Sequence, residues 1–216
     1  MASGPERAAS HRQFVLRRLH SLSGVVPIGV FLIEHYLTNS LAFLSAERYD
    51  AAAKWLQSFP YVLVLEVGGI WLPILFHGLL GAYLWWEGRS NVGAYAYADN
   101  WLYTLQRASG LVVLVYVVYH VWIMRITGGA ATFAKVNAHL SDPLLLAWNL
   151  LGITAASFHF ANGLRTVAFH WGLTVGPRAQ RQFGYACLVF GLLFTGLGWL
   201  ALLSFLNPAA VQASPR

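Results

Sequence analysis

Residues Ala108–Met124 read ASGLVVLVYVVYHVWIM, a run without Asp, Glu, Lys or Arg. As an α-helix this run, extended back to about Tyr103, reaches the length of about 20 residues needed to cross the hydrocarbon layer. It is too long for a transmembrane strand, and in lipid only a helix satisfies its amides within one segment. Working outward, four similar windows accompany it. The five predicted helices cover approximately 18–41, 60–87, 103–126, 143–170 and 181–206. The expected fold is therefore all-α, a five-helix transmembrane bundle forming one membrane-anchor domain over 1–216. Pro27 and Pro73 fall inside these windows, where membrane helices tolerate them as bends.

Composition agrees. Of 216 residues, 57% are hydrophobic and 10% charged, with a mean hydropathy of +0.55. A soluble domain carries about a quarter of its residues as Asp, Glu, Lys and Arg, so this chain lacks the charge to cover a surface in water. The formal charge of +6 does not imply nucleic acid, because the basic residues flank apolar segments and form no continuous patch. The run after Arg7, Arg12, Arg17 and Arg18 is too long for a cleavable signal and reads as a retained helix. That basic start, the Arg89–Arg107 connection and the Arg178–Arg181 connection share one side; the connections holding Arg48 and Lys54, and Arg125 and Lys135, share the other. The excess of positive charge predicts a cytoplasmic N-terminus and an outer C-terminus. Six tryptophans (Trp55, Trp85, Trp86, Trp101, Trp122 and Trp171) lie near helix ends, where an interfacial belt belongs. The lone Cys187 reads as a packing residue. Ser3–Ala9 and Pro208–Arg216 are expected to fray.

Four of eight histidines lie inside four different apolar helices: His35, His77, His120 and His159. At 1.5 Å per residue, His35 is about 25 Å along its helix from Arg18, and His120 about 20 Å from Arg107. On the antiparallel helices, His77 is about 15 Å from Glu87 and His159 about 16 Å from His170. Depth therefore pairs His35 with His120 towards the outer side and His77 with His159 towards the inner. A buried histidine alone is ordinarily an interhelical hydrogen-bonding residue. Two depth-matched pairs instead suit the axial positions of two haems, which as bis-histidine centres transfer electrons without an open coordination position. No three or four ligands share one depth as zinc would require, and no C-x-x-C-H stretch attaches a haem covalently. Gly24, Gly29, Gly78 and Gly81 leave room for flat macrocycles. Arg17, Arg18, His20, Ser21, Arg107 and Arg165 are the expected donors to the inner haem's propionates, with topology signalling or snorkelling as the alternative for the arginines.

These residues carry a family resemblance. Arg17-Arg18-Leu19-His20-Ser21-Leu22 with Gly24, Phe31-Leu32-Ile33-Glu34-His35, Leu72-Pro73 followed by His77, Asn100-Trp101 followed by Leu105-Gln106-Arg107, Tyr119-His120-Val121-Trp122 and Phe158-His159-Phe160-Ala161-Asn162-Gly163-Leu164 resemble the single-subunit dihaem cytochrome b anchors of succinate dehydrogenase and quinol:fumarate reductase. The likeness is greatest to the menaquinone-linked Gram-positive type and covers the chain from about Phe14 onward. It implies two haem b groups, with His77 and His159 on the proximal one and His35 and His120 on the distal one. It also implies a flavoprotein subunit with FAD, an iron–sulfur subunit with its clusters, menaquinone as substrate, and residence in a bacterial cytoplasmic membrane. Succinate would be oxidised on the flavoprotein, so this chain would be a non-hydrolytic electron-transfer subunit with no dicarboxylate site. The quinone carboxylate is expected to be Glu66, roughly 16 Å outward from His77, with Glu34 second; His20 and Ser21 leave a proximal quinone site possible. The chain departs from some quinol:fumarate reductases in having no carboxylate at Ala155-Ala156-Ser157-Phe158 beside His159, which favours the succinate-oxidising form. The alternatives are the cytochrome b anchor of another membrane oxidoreductase, such as a hydrogenase, and a haem-free structural anchor.

Overall fold

Five helices long and apolar enough to cross a membrane make up most of the chain: His11–Phe43, Val62–Glu87, Ala98–Ile126, Pro143–His170 and Pro177–Ser204 (spans I to V). The structure is a computed structural model describing residues 4–127 and 129–207. From Gly4 onward the backbone is helical; of the ends expected to fray, Ser3 and Pro208–Arg216 lie outside the described residues. Span I comprises α1 (Gly4–Val25) and α2 (Pro27–Ser40) with a short tighter turn at Leu41–Phe43. Pro27 takes the first position of α2, where its missing N–H costs least. Val26 still donates to Leu22 O (2.9 Å) and accepts from Val30 N (3.3 Å), so the interruption is one residue long.

Span II is α4 (Val62–Glu66), a π-helical turn (Val67–Trp71) and α5 (Leu72–Glu87). Pro73 cannot donate to the carbonyl four residues back, and the ladder widens so that Leu72 N reaches Val67 O. Span III is α6 (Ala98–Val121) and a second π-helical turn (Trp122–Ile126). It begins before the apolar window does because Asp99 sits in its first turn, where an anion suits the helix N-terminus. Span IV is α8 (Pro143–His170), started by Asp142, whose Oδ1 accepts from Leu144 N (2.7 Å) and Leu145 N (3.3 Å). Span V is α9 (Pro177–Ser204), entered from Gly176 at φ 84°, a value that suits glycine.

Span IV is the central strut, packed chiefly against V and III, while span I packs against II, V and IV. The most apolar windows of spans I to III are 6%, 0% and 6% buried, against 39% for span IV. Their outward Leu, Val and Trp side chains are a lipid-facing surface, where apolar exposure has no cost. Small residues set the closest approaches. A Cβ on Gly198 would lie 2.7 Å from Ile153 and Tyr36, one on Gly191 2.9 Å from Ala161, and one on Gly152 would enter the Tyr116 ring. Gly196, by contrast, faces open space.

Two helices were not expected from the sequence. α3 (Ala46–Gln57) and α7 (Phe133–Leu140) occupy the I–II and III–IV connections and close one end of the bundle. Their buried Ala46, Tyr49, Phe133, Val136 and Leu140 join Ala42 and Phe205 in one cluster. Asp50 Oδ1 accepts from Phe133 N at 2.7 Å, and Asn137 Nδ2 donates to Phe205 O at 2.6 Å, binding the two connections to the end of span V.

Candidate site: two pairs of buried imidazoles

The inner pair comes from spans II and IV. The rings of His77 and His159 have centroids 6.2 Å apart with planes at 89°. Each ring is held from behind. His77 Nδ1 lies 2.9 Å from the carbonyl of His20, and His159 Nδ1 lies 3.1 Å from the carbonyl of Gln106. A carbonyl only accepts, so both Nδ1 atoms carry the proton and both Nε2 atoms keep a lone pair. The Gln106 side chain adds a bond from Nε2 to His159 O (3.0 Å) and accepts from Asn162 Nδ2 (2.8 Å). The His20 ring lies flat on His77, centroids 4.0 Å apart and planes 10° apart.

The outer pair comes from spans I and III. His35 and His120 have centroids 5.8 Å apart and planes at 88°. Tyr116 flanks His120 at 5.6 Å and donates its hydroxyl to buried Asn149 Oδ1 (2.9 Å). Asn149 and Tyr119 both reach His139 Nε2 on α7 (3.5 and 3.3 Å). Tyr36, one residue past His35, is anchored by Ser157 Oγ (3.2 Å).

The glycines near the histidines serve the rings more than an open slot. A Cβ on Gly24 would stand 2.5 Å from His77 Cε1, one on Gly110 2.9 Å from His159 Cε1, and one on Gly81 3.2 Å from His20 Cε1. Gly29 and Gly78 receive Phe160 and Leu114. Gln106, Ser109 and Gly110 were not singled out as supports for His159; a glutamine one turn before a glycine at the start of an apolar span was the available signal. Among the described residues no three His, Cys, Asp or Glu side chains gather as for a bare metal ion.

Two pairs of imidazoles on four helices of one bundle narrow the comparison with known proteins. Residues 89–198 match the family described as succinate dehydrogenase/fumarate reductase transmembrane subunit. Over 200 residues the chain is 38% identical to the succinate dehydrogenase cytochrome b558 subunit of Bacillus subtilis (strain 168), covering 91% of this chain and 99% of that protein. The chain belongs to the succinate dehydrogenase/fumarate reductase transmembrane subunit family.

In this family member the remaining polar residues singled out from the sequence are mostly engaged. Arg107 reaches over the end of α5, donating to Leu84 O (2.9 Å), Trp85 O and Gly88 O (3.2 Å) and to Tyr103 Oη (3.1 Å). It caps the C-terminal end of α5, where Leu84 O also accepts from Gly88 N (3.1 Å). Arg165 pairs with Asp99 at 2.6 Å. Arg18 lies over both Phe14 and Trp171, 4.9 Å from each ring. Ser21 Oγ donates to Arg18 O (2.9 Å) and accepts from Trp171 Nε1 (3.1 Å). Arg17 stands on the same helix near Tyr83. Glu66 pairs with Arg125 at 2.8 Å, and Glu34 accepts from Thr38 Oγ1 at 2.5 Å.

Proposed function

We propose that this transmembrane subunit is a dihaem cytochrome b, carrying electrons from succinate oxidation to menaquinone while anchoring a flavoprotein with FAD and an iron–sulfur subunit to the membrane. The observation that carries the reading is the spacing of the two imidazole pairs. Two metal–imidazole bonds of about 2 Å each, with ring radii on either side, separate centroids by about 6 Å. The observed 6.2 and 5.8 Å match that span. The similar Bacillus subtilis protein is itself named a cytochrome b558 subunit, which supports haem b as the group.

On this reading His77 and His159 hold the inner haem, and His35 and His120 the outer one. A haem held between two histidines would supply one-electron transfer with no position left for oxygen chemistry. The chain's own work is to orient. The carbonyls of His20 and Gln106 fix the tautomer that leaves each Nε2 free to ligate, as outer-shell partners of metal-bound histidine do. Arg17, Arg18, His20, Ser21, Arg107 and Arg165 surround the inner end, where propionates need donors; Arg107 and Arg165 would serve by exchanging a present bond. Glu66, at the opposite end of span II from the inner end, handles protons for the quinone. The excess of basic residues at the inner end supports a cytoplasmic N-terminus in a bacterial membrane.

The complex purified from membranes should show a b-type reduced-minus-oxidised spectrum with two haems per copy of this chain, together with FAD and succinate-oxidising activity. His120→Ala should leave one haem. A spectrum without haem would return the chain to a structural anchor, and haem without FAD or succinate oxidation would assign it to a different oxidoreductase.

A further inference from the structure

The two π-helical turns sit at the same end of neighbouring spans, and one ion pair joins them. Glu66 immediately precedes the turn in span II; Arg125 lies within the turn in span III. Each turn is closed by a bond from five residues on, Leu72 N to Val67 O and Thr127 N to Trp122 O, the latter 2.9 Å. Such turns are rare and frequently lie at functional sites.

Their effect is rotational. In an unbroken α-helix Arg125, five residues after His120, would lie about 140° round the axis from it. Because Arg125 lies inside the wide turn, part of the unwinding precedes it, and it falls short of that angle, nearer the direction of His120. In span II the effect is opposite: Glu66 would fall about 20° from His77 in an unbroken helix, and the wide turn moves it to about 80°. In span III the turn thus swings Arg125 towards the direction of His120, and in span II it swings Glu66 away from that of His77.

The pair is also open to a third group. The Arg125 side chain is 47% exposed and the Glu66 side chain 19%. Among the described residues only Nη2 of Arg125 is engaged, with Glu66 Oε2. A guanidinium carries five donors in a planar fork, enough to hold a carboxylate and a carbonyl together. Gly68 and Gly69 beside the pair face open space.

We propose that Arg125 is a quinone-binding residue: its guanidinium holds Glu66 in the resting protein and donates to a carbonyl oxygen of the arriving quinone. The inference rests on the outer quinone site proposed above. In the full reaction the quinone gains two electrons from succinate through this chain and two protons. Glu66 delivers the protons singly and is reprotonated from the adjacent water. Arg125 supplies no proton; it binds the oxygen on which negative charge develops.

The test uses the intact complex in detergent, with a short-chain naphthoquinone as acceptor and succinate as donor. Haem content and succinate oxidation by a soluble dye verify assembly. Arg125→Gln should raise the naphthoquinone KM about tenfold, the loss of one charge-assisted hydrogen bond, with kcat within about twofold. Glu66→Gln, which removes the same ion pair, should leave KM within about twofold and lower kcat at least about tenfold. Equal increases in KM for both variants would make the pair a brace between spans and overturn the proposal. A normal KM in Arg125→Gln beside a low kcat in Glu66→Gln would overturn the role of Arg125 alone. Unchanged quinone kinetics in both would overturn the outer site itself. If Arg125→Gln fails to assemble, Arg125→Lys serves, with an expected KM rise of about threefold; no rise overturns the proposal.

Discussion

His77 has little freedom to move. Its Nδ1 is bonded to the His20 carbonyl, its face is covered by the His20 ring, and Gly24 leaves the gap in which its Cε1 sits. Gly24→Ala places a methyl group 2.5 Å from that carbon, closer than packed atoms approach. The ring must shift, and on the dihaem reading proposed above the expected result is loss of one haem, read from the haem-to-protein ratio. Gly68→Ala meets nothing within 4 Å and should keep both. At the other end His139 lies outside the spans. Burial, the larger effect, holds its pKa below the ordinary histidine value, with Lys135 acting in the same direction and Asp142 against it. Between that lowered value and the ordinary one the unfolded chain binds the proton more readily, so the contribution to stability is present above about pH 6.5. It is lost as pH falls towards the folded pKa, because protonated Nε2 no longer accepts from Tyr119 and Asn149. Thermal unfolding of the complex between pH 7 and pH 5 should show a smaller acid-induced fall in Tm for His139→Gln than for the unsubstituted protein.

At the scale of elements, α3 and α7 depend on one another in a way the membrane helices do not. A spanning helix satisfies its own amides and is held in place by lipid. α7 is only eight residues long, too short to persist alone. It is started by Thr132, whose side chain accepts from Lys135 N (3.3 Å), and by Asp50 of α3, which accepts from Phe133 N (2.7 Å). Asp50→Ala removes the second bond and should cost about 1 kcal/mol. Limited proteolysis in the III–IV connection should accelerate with spectra of the spanning region unchanged; an unaltered cleavage rate would show the bond to be dispensable. Pro73 acts at this scale too, since its missing N–H is the local reason that span II widens and Glu66 is rotated.

At the scale of the whole molecule, one imidazole pair lies towards each end of the bundle, and spans II and IV carry the inner pair while I and III carry the outer. On the function proposed above, with succinate oxidised at the inner end and quinone reduced at the outer, electrons would cross between the pairs along the membrane normal. Each charge crossing 100 mV is worth about 2.3 kcal/mol, enough to assist an unfavourable reduction of menaquinone. Beside His159 the chain places buried Ala155, Ala156 and Ser157. In sealed membranes, dissipating the potential should slow succinate-driven menaquinone reduction and leave dye-linked succinate oxidation unchanged. An unchanged menaquinone rate would reject the coupling.

Much of this architecture was legible in the chain because its elements are nearly one-dimensional. A helix in lipid closes its own hydrogen bonds, so charge-free windows located the five spans. A fixed rise per residue turned residue counts into depth and matched the four histidines in pairs before any contact was known. Rotation and partner choice were not legible. Which way a side chain faces depends on local winding and on the neighbouring helix. Two wide turns re-aimed Glu66 and Arg125, while Arg107 turned back to cap the end of α5 and Arg165 found Asp99. The small helices α3 and α7 have no apolar run of their own and exist by burying a few side chains against each other and Phe205. Depth is a property of the chain; facing is a property of the packed bundle.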